Sequence, residues 1–176
     1  MKKTGVLKVI LYIFASFLLA VFQSTVGKRI GLFGTTAQMT LVLTVCAAYF
    51  HGPTVGAICG IASGVFTEAI GSTGIVLLPI FYVFIGLTVG VKTQEAEEKH
   101  RTAGFLRYIT TLALSCLSGA LITVIMTALN ATKLNFFMVI LHISLPEVLN
   151  TFIFGIFLGL AHLAFISIGK SKGTDK

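Results

Sequence analysis

Charged side chains are scarce in this sequence, where they make up 11% of the 176 residues, against about 25% in an average soluble domain. Hydrophobic residues make up 56%. A membrane span needs about 20 mostly apolar residues to cross about 30 Å of hydrocarbon, so six spans and their connections would use nearly the whole chain. The composition predicts an all-α integral membrane protein of about six transmembrane helices and leaves no room for a soluble catalytic domain.

Signatures of catalysis and of metal binding are also lacking. The sequence has no HExxH motif and no nucleotide-binding glycine loop. Its three cysteines lie inside apolar runs without CxxC spacing, which is typical of small hydrophobic residues. The net charge of +7 comes from basic residues at the ends of apolar runs, which indicates topology signals and not a nucleic-acid surface. We expect neither an enzyme nor a bound cofactor or metal.

The apolar residues are arranged as one polytopic membrane domain that covers residues 1–176. Six apolar runs are separated by turns or polar segments, at about 9–27, 35–50, 53–71, 74–91, 108–130 and 146–168. The only strongly charged stretch, residues 92–107, is interpreted as a polar connector. Residues 130–145 contain an apolar stretch that is too short to span, so this segment is predicted to be either an external interfacial helix or a re-entrant piece.

The distribution of lysine and arginine predicts the orientation, because short cytoplasmic loops of membrane proteins are enriched in these residues. Of the 13 basic residues, Lys28, Arg29 and Lys133 lie on one predicted side. All the others lie on the side that holds both termini and the 92–107 connector. The two termini are therefore predicted to be cytoplasmic, and the first apolar run is predicted to be an uncleaved span.

Glycines recur every four residues on the third apolar run. Lipid does not drive helices together as water does, so rows of small residues that let two backbones approach help membrane helices to pack. The alternative is that glycine is merely common in membrane helices. We predict that the row packs against another helix and that the third helix is central in the bundle. The row consists of Gly52, Gly56, Gly60 and Gly64, and shorter rows are Gly86 with Gly90 and Gly155 with Gly159.

Three polar residues are predicted to meet toward the outer face. Glu68 continues the glycine row one turn past Gly64, and it is either an intramembrane site or a hydrated carboxylate at a helix end. Asn150 lies in the last apolar run, where amides usually hydrogen-bond across helices. Gln23 lies at a similar depth in the first run. These three form a predicted polar cluster or partner contact.

The last helix carries a local start signal. Ser144, Pro146 and Glu147 fit a capping box with proline in the first turn. We therefore predict that the last helix begins at Ser144 and that Glu147 caps it.

Several of these segments, taken in order, resemble the family of the rod shape-determining protein MreD. Where that family usually has an aspartate after the glycine row, this chain has Glu68, and Thr36-Ala37-Gln38 stands where a Pro-Asp pair is common. The segments that carry the resemblance are Gln23-Ser24-Thr25, His51-Gly52-Pro53-Thr54-Val55-Gly56-Ala57-Ile58-Cys59-Gly60, Gly64, Glu68, Gly71, Gly74 and Leu145-Pro146-Glu147-Val148-Leu149-Asn150.

The resemblance implies a scaffold of the cell-elongation machinery in the bacterial plasma membrane. Such a scaffold binds the bitopic protein MreC and links MreB filaments to RodA and its transpeptidase partner in peptidoglycan synthesis. The MreD family is also similar in fold to the substrate-binding subunits of energy-coupling-factor vitamin transporters, so the alternative is a substrate-capture subunit. A capture subunit needs convergent polar and aromatic groups. The spans of this chain have few polar residues and no tryptophan, which favours the scaffold.

Overall fold

The computed structural model describes residues 3–27, 35–71, 77–97, 104–130 and 140–171. Within these ranges the chain forms six α-helices and no β-strand. The predicted all-α class is confirmed. The helices are α1 (Lys3–Phe22), α2 (Met39–His51), α3 (Pro53–Gly71), α4 (Leu78–Glu97), α5 (Gly104–Asn130) and α6 (Leu145–Ser171).

Four helical segments are long and apolar enough to cross a membrane, and the chain is an all-α membrane protein. They are Val6–Gly27, Pro53–Gly71, Leu106–Ile125 and Ile140–Ala161. The first and last of these include π-helical turns, Gln23–Gly27 after α1 and Ile140–Ser144 before α6. The apolar parts of the other two helices are shorter, Met39–His51 and Leu78–Gln94.

Several helix boundaries differ from the predicted ones. Helix α4 runs on to Glu97, into the predicted polar connector, because Lys, Gln, Glu and Ala all favour helix. Helix α2 begins only at Met39, after four residues that are not helical. Residues 131–139 of the doubtful segment lie outside the described residues, and the π-turn Ile140–Ser144 leads directly into α6.

The central helix is α2, and not α3 as the glycine row predicted. Every residue from 40 to 48 is buried, and α2 contacts each of the other five helices. Apart from two threonines, this stretch of α2 contains only apolar residues, and a helix that is apolar all round belongs inside a bundle. Helix α3 lies beside it and packs against α1, α2 and α4.

The glycine row forms the closest helix contact of the described bundle, between α3 and α4. A Cβ atom on Gly60 would lie 2.5 Å from the carbonyl oxygen of Tyr82, and one on Gly56 would lie 2.8 Å from the carbonyl oxygen of Gly86. Gly64 meets the backbone of Pro79 in the same way. The two backbones therefore touch directly, without room for a side chain between them.

The first glycine of the row has a different role. Gly52 has a φ of +87°, a conformation that residues with a side chain rarely adopt. Its N–H donates to the carbonyl oxygen of Ala48 at 3.0 Å and so closes the end of α2. Gly52 thus forms the tight turn that joins α2 to α3.

The short glycine row on α6 accommodates two side chains of α5. Gly155 lies against Leu112, and Gly159 lies against the ring of Tyr108. The Tyr108 hydroxyl also donates to the carbonyl oxygen of Gly155 at 2.7 Å. The pair α5 and α6 is therefore joined by side chains seated on glycine, whereas α3 and α4 are joined backbone to backbone.

Candidate functional site

The candidate site surrounds the N-terminal end of α2, which lies inside the bundle. Helix α2 has 13 residues and is about 20 Å long, so it is shorter than the roughly 30 Å hydrocarbon core. The non-helical residues 35–38 precede it and add up to about 13 Å. Non-helical backbone at membrane depth is tolerated only where the protein satisfies its polar groups. The partners of this segment therefore define the site.

Gln23 caps α2 from a different helix. Its side-chain oxygen Oε1 accepts hydrogen bonds from the backbone N–H of Met39 at 3.0 Å and of Thr40 at 3.5 Å. The N-terminal residues of a helix have N–H groups without an acceptor in the helix, and Gln38, at the N-cap position, makes no side-chain cap. The π-turn after α1 thus supplies the side-chain cap that Gln38 does not, while the Met39 N–H also donates to the carbonyl oxygen of Ala37 at 2.9 Å.

The last helix holds the same segment from the other side. Asn150 Nδ2 donates to the carbonyl oxygen of Thr35 at 3.0 Å and to its hydroxyl at 3.2 Å. The backbone N–H of Gln38 donates to Thr151 Oγ1 at 2.9 Å. Gln23 and Asn150, which the sequence placed in one cluster, therefore act on the same short segment from opposite ends of the chain.

Glu147 completes the site with a carboxylate. Gln38 Nε2 donates to Glu147 Oε1 at 2.7 Å and lies 3.3 Å from Thr123 Oγ1 of α5. The other carboxylate oxygen, Oε2, is buried and has no hydrogen-bond partner within the described part of the chain. Side chains from α5 and α6 thus meet at the Gln38 amide.

The predicted capping box is wrong. Ser144 lies in the π-turn that continues into α6, so the helix does not begin there. Its hydroxyl is buried without a hydrogen-bond partner among the described residues, and Glu147 binds Gln38 instead. Pro146 lacks an N–H, and its ring would clash with the carbonyl of His142 in a regular α-helix. The π-turn Ile140–Ser144 contains His142 and takes the place of regular α-helix there.

The contact from α3 to the site runs through Thr67. Thr67 Oγ1 donates to the carbonyl oxygen of Ser63 at 2.7 Å and lies 2.9 Å from Thr40 Oγ1. Glu68, which the sequence placed in the cluster, is the next residue and is half-buried. The α-helical geometry turns these neighbours about 100° apart, so Thr67 and not Glu68 follows the buried face.

Sequence reasoning missed Gln38, Thr67, Thr123 and Thr151. A glutamine inside a predicted apolar run was an available signal, because a buried amide needs partners. The threonines carry no such signal. Their hydroxyls usually bond to the carbonyl four residues back in their own helix, and the sequence does not say which of them also reach another helix.

The site joins α1, α5 and α6 to the N-terminal end of α2. Across the described ranges, no group of three His, Cys, Asp or Glu side chains could hold a metal ion.

A second buried network joins α1 to α3, where Ser63 Oγ donates to Ser16 Oγ at 3.0 Å and Ser16 Oγ donates to the carbonyl oxygen of Tyr12 at 2.8 Å.

Comparison with known proteins gives no family assignment: no family model, no curated protein and no solved structure matches this chain.

Proposed function

We propose that this chain is a membrane scaffold of the MreD type in the bacterial plasma membrane. In this role it binds MreC and, through it, links MreB filaments to RodA and its transpeptidase partner during cell elongation. The proposal rests on the order of the sequence segments that resemble the MreD family. One structural observation supports it, which is that Gln23, Asn150 and Glu147 hydrogen-bond to the start of α2 or to the segment before it.

The hydrogen bonds around residues 35–40 carry this argument. A capture subunit or transporter keeps polar groups available for its ligand. Here Gln23 binds a backbone N–H at the start of α2 and Asn150 binds the carbonyl of Thr35 before it, while Glu147 binds the Gln38 side chain. These bonds hold the N-terminal end of α2 in place. In a scaffold, they would keep the surface that meets its partners in one shape.

Affinity purification in mild detergent tests the proposal. The tagged chain, expressed in a rod-shaped bacterium depleted of its own MreD, is expected to bring down MreC and to restore rod shape. An unrelated polytopic membrane protein with the same tag and expression level is the control. Recovery of a pair of ATPases together with a bound vitamin, without MreC, would contradict the scaffold and support the capture subunit.

The orientation of the scaffold is a separate prediction. Both termini face the cytoplasm if the distribution of basic residues sets the topology. In a background where Cys46, Cys59 and Cys116 are replaced by alanine, a membrane-impermeant thiol reagent is expected to label a cysteine at Thr132 in intact cells. A cysteine at Thr102 is expected to react only after permeabilisation.

Both test positions lie outside the described residues, Thr102 between α4 and α5 and Thr132 between α5 and α6. The Cys-free chain is the control for background labelling, and permeabilised cells should label both positions. Labelling of both positions in intact cells would disprove the six-span orientation.

A further inference from the structure

A groove opens between α4 and α5 on the outside of the described bundle. These two helices scarcely touch each other, because α4 packs chiefly against α3 and α2, and α5 packs against α6 and α2. The groove has a volume of about 270 Å³, and its walls include Phe81, Phe84 and Thr88 of α4 and Leu114 of α5. Lys92 lies at one end of it.

We propose that this groove binds an anionic phospholipid of the cytoplasmic leaflet, with one acyl chain in the groove and the phosphate at Lys92. The site is separate from the hydrogen-bonded segment before α2 and does not depend on the scaffold function. Three observations carry the proposal: the chemistry of the walls, the length of the groove and the charge at its mouth.

Four hydroxyl groups line the walls beside the apolar side chains, and none of them has a proton to offer an occupant. Each hydroxyl donates its proton to a backbone carbonyl of its own helix, at 2.8 to 2.9 Å. A hydroxyl has one proton to donate, so none remains for an occupant. The groove suits a hydrocarbon chain better than a polar solute. The four residues are Thr88, Thr111, Ser115 and Ser118.

The length of the groove matches one leaflet. Along α4 it extends from Lys92 to Phe81, which is about 16 Å at 1.5 Å per residue. The hydrocarbon core is about 30 Å thick, so the groove covers about half of it. Lys92 lies at the end predicted to be cytoplasmic. An acyl chain that starts at the cytoplasmic boundary would therefore fill the groove to the middle of the membrane.

One cation lines the mouth of the groove, and a second follows from the helical spacing of α5. Lys92 is exposed. Arg107 lies one helical turn from Thr111 toward the same end of α5 and is half-buried, so it shares the face that lines the groove. Basic residues at this level attract anionic headgroups of the cytoplasmic leaflet. The mouth therefore selects a negatively charged lipid.

Native mass spectrometry of the purified full chain tests the charge argument. In micelles that contain equal amounts of phosphatidylglycerol and phosphatidylcholine, the protein is expected to retain one phosphatidylglycerol molecule in preference to phosphatidylcholine. Lys92→Gln should weaken this retention about fivefold, the effect of one basic residue at an anionic surface, and adding Arg107→Gln should weaken it by a similar factor again. Lys8→Gln, at an exposed lysine of α1, is the matched control. Equal retention of the two lipids, or equal effects of Lys92→Gln and Lys8→Gln, would overturn the proposal.

A groove-filling variant tests the place of the acyl chain. Ser118→Phe puts a ring into the groove and should abolish retention of phosphatidylglycerol, while Leu117→Phe, at a lipid-exposed neighbour, should not. A monodisperse peak in size-exclusion chromatography shows that a variant is folded. If Ser118→Phe does not fold, Thr111→Phe is used in its place. Full retention of phosphatidylglycerol by a folded variant with a filled groove would disprove the site. The site would also be disproved if a photo-crosslinker at Ser118 captured a protein helix instead of lipid.

Discussion

Gly60→Ala is expected to lower the stability of the purified protein by about 1 to 3 kcal/mol, the usual cost of overpacking, and Gly60→Leu is expected to leave almost no folded protein. The new Cβ atom would lie 2.5 Å from the carbonyl oxygen of Tyr82 and 2.7 Å from its carbon. Both are backbone atoms, so α3 and α4 must separate. Alanine favours helix over glycine by about 1 kcal/mol, so a net loss would be due to packing. Because the chain has no tryptophan whose fluorescence could report unfolding, the protein is fused to a fluorescent protein. The loss of stability is measured by size-exclusion chromatography of this fusion after heating.

Gly27→Ala is the matched control for this change. The nearest atom to a Cβ on Gly27 is the carbonyl oxygen of Phe22, at 3.7 Å, which is an ordinary contact. This variant should keep the stability of the parent protein. If the two variants behave alike, the glycine row does not hold α3 and α4 together.

Glu147→Leu is expected to destabilise the bundle by about 1 to 3 kcal/mol, the cost of leaving a buried polar group without its partner. Gln38 Nε2 would lose its acceptor at 2.7 Å, in surroundings without water to replace it. Glu147→Gln keeps an oxygen for Gln38 and should retain both stability and function. Heating in detergent measures stability, and rescue of rod shape in a strain depleted of MreD measures function.

Thr110→Leu is the control for the loss of a polar group. Thr110 is exposed and its hydroxyl donates to the carbonyl oxygen of Arg107 in its own helix, so its replacement should change little. The informative contrary result comes from Glu147→Gln. If that variant folds and binds MreC but fails to restore cell shape, the carboxylate handles a proton, an ion or a ligand, and the scaffold proposal fails.

The features that the sequence predicted depend on spacing and composition alone. Apolar runs of span length predict the helices, because hydrocarbon thickness fixes the number of residues needed. The four-residue spacing puts Gly56, Gly60 and Gly64 on one face of α3, where the structure has them against α4. Such patterns need no knowledge of which helix lies opposite.

The centre of the bundle could not be predicted in this way. Helix α2 is one of several apolar runs, and hydropathy does not distinguish a helix surrounded by protein from one surrounded by lipid. Its cap was equally hidden, because Gln23 Oε1 reaches the N–H of Met39 from another helix. The Ser144 pattern failed for the same reason, since Gln38, from a distant part of the chain, binds Glu147 in place of the local backbone.

The hydrogen bonds that hold residues 35–38 bear on how the protein is made. Ribosomes deliver the helices to the membrane in chain order, so α2 enters long before α6 has been synthesised. Gln23 is already present and can bind the N–H of Met39. The carbonyl of Thr35 and the N–H of Gln38 receive Asn150 and Thr151 only once the last helix has been inserted. Until then, water or a membrane chaperone has to supply hydrogen-bond partners for these two backbone groups. Insertion of α6 is therefore the step that completes the hydrogen bonding of this segment.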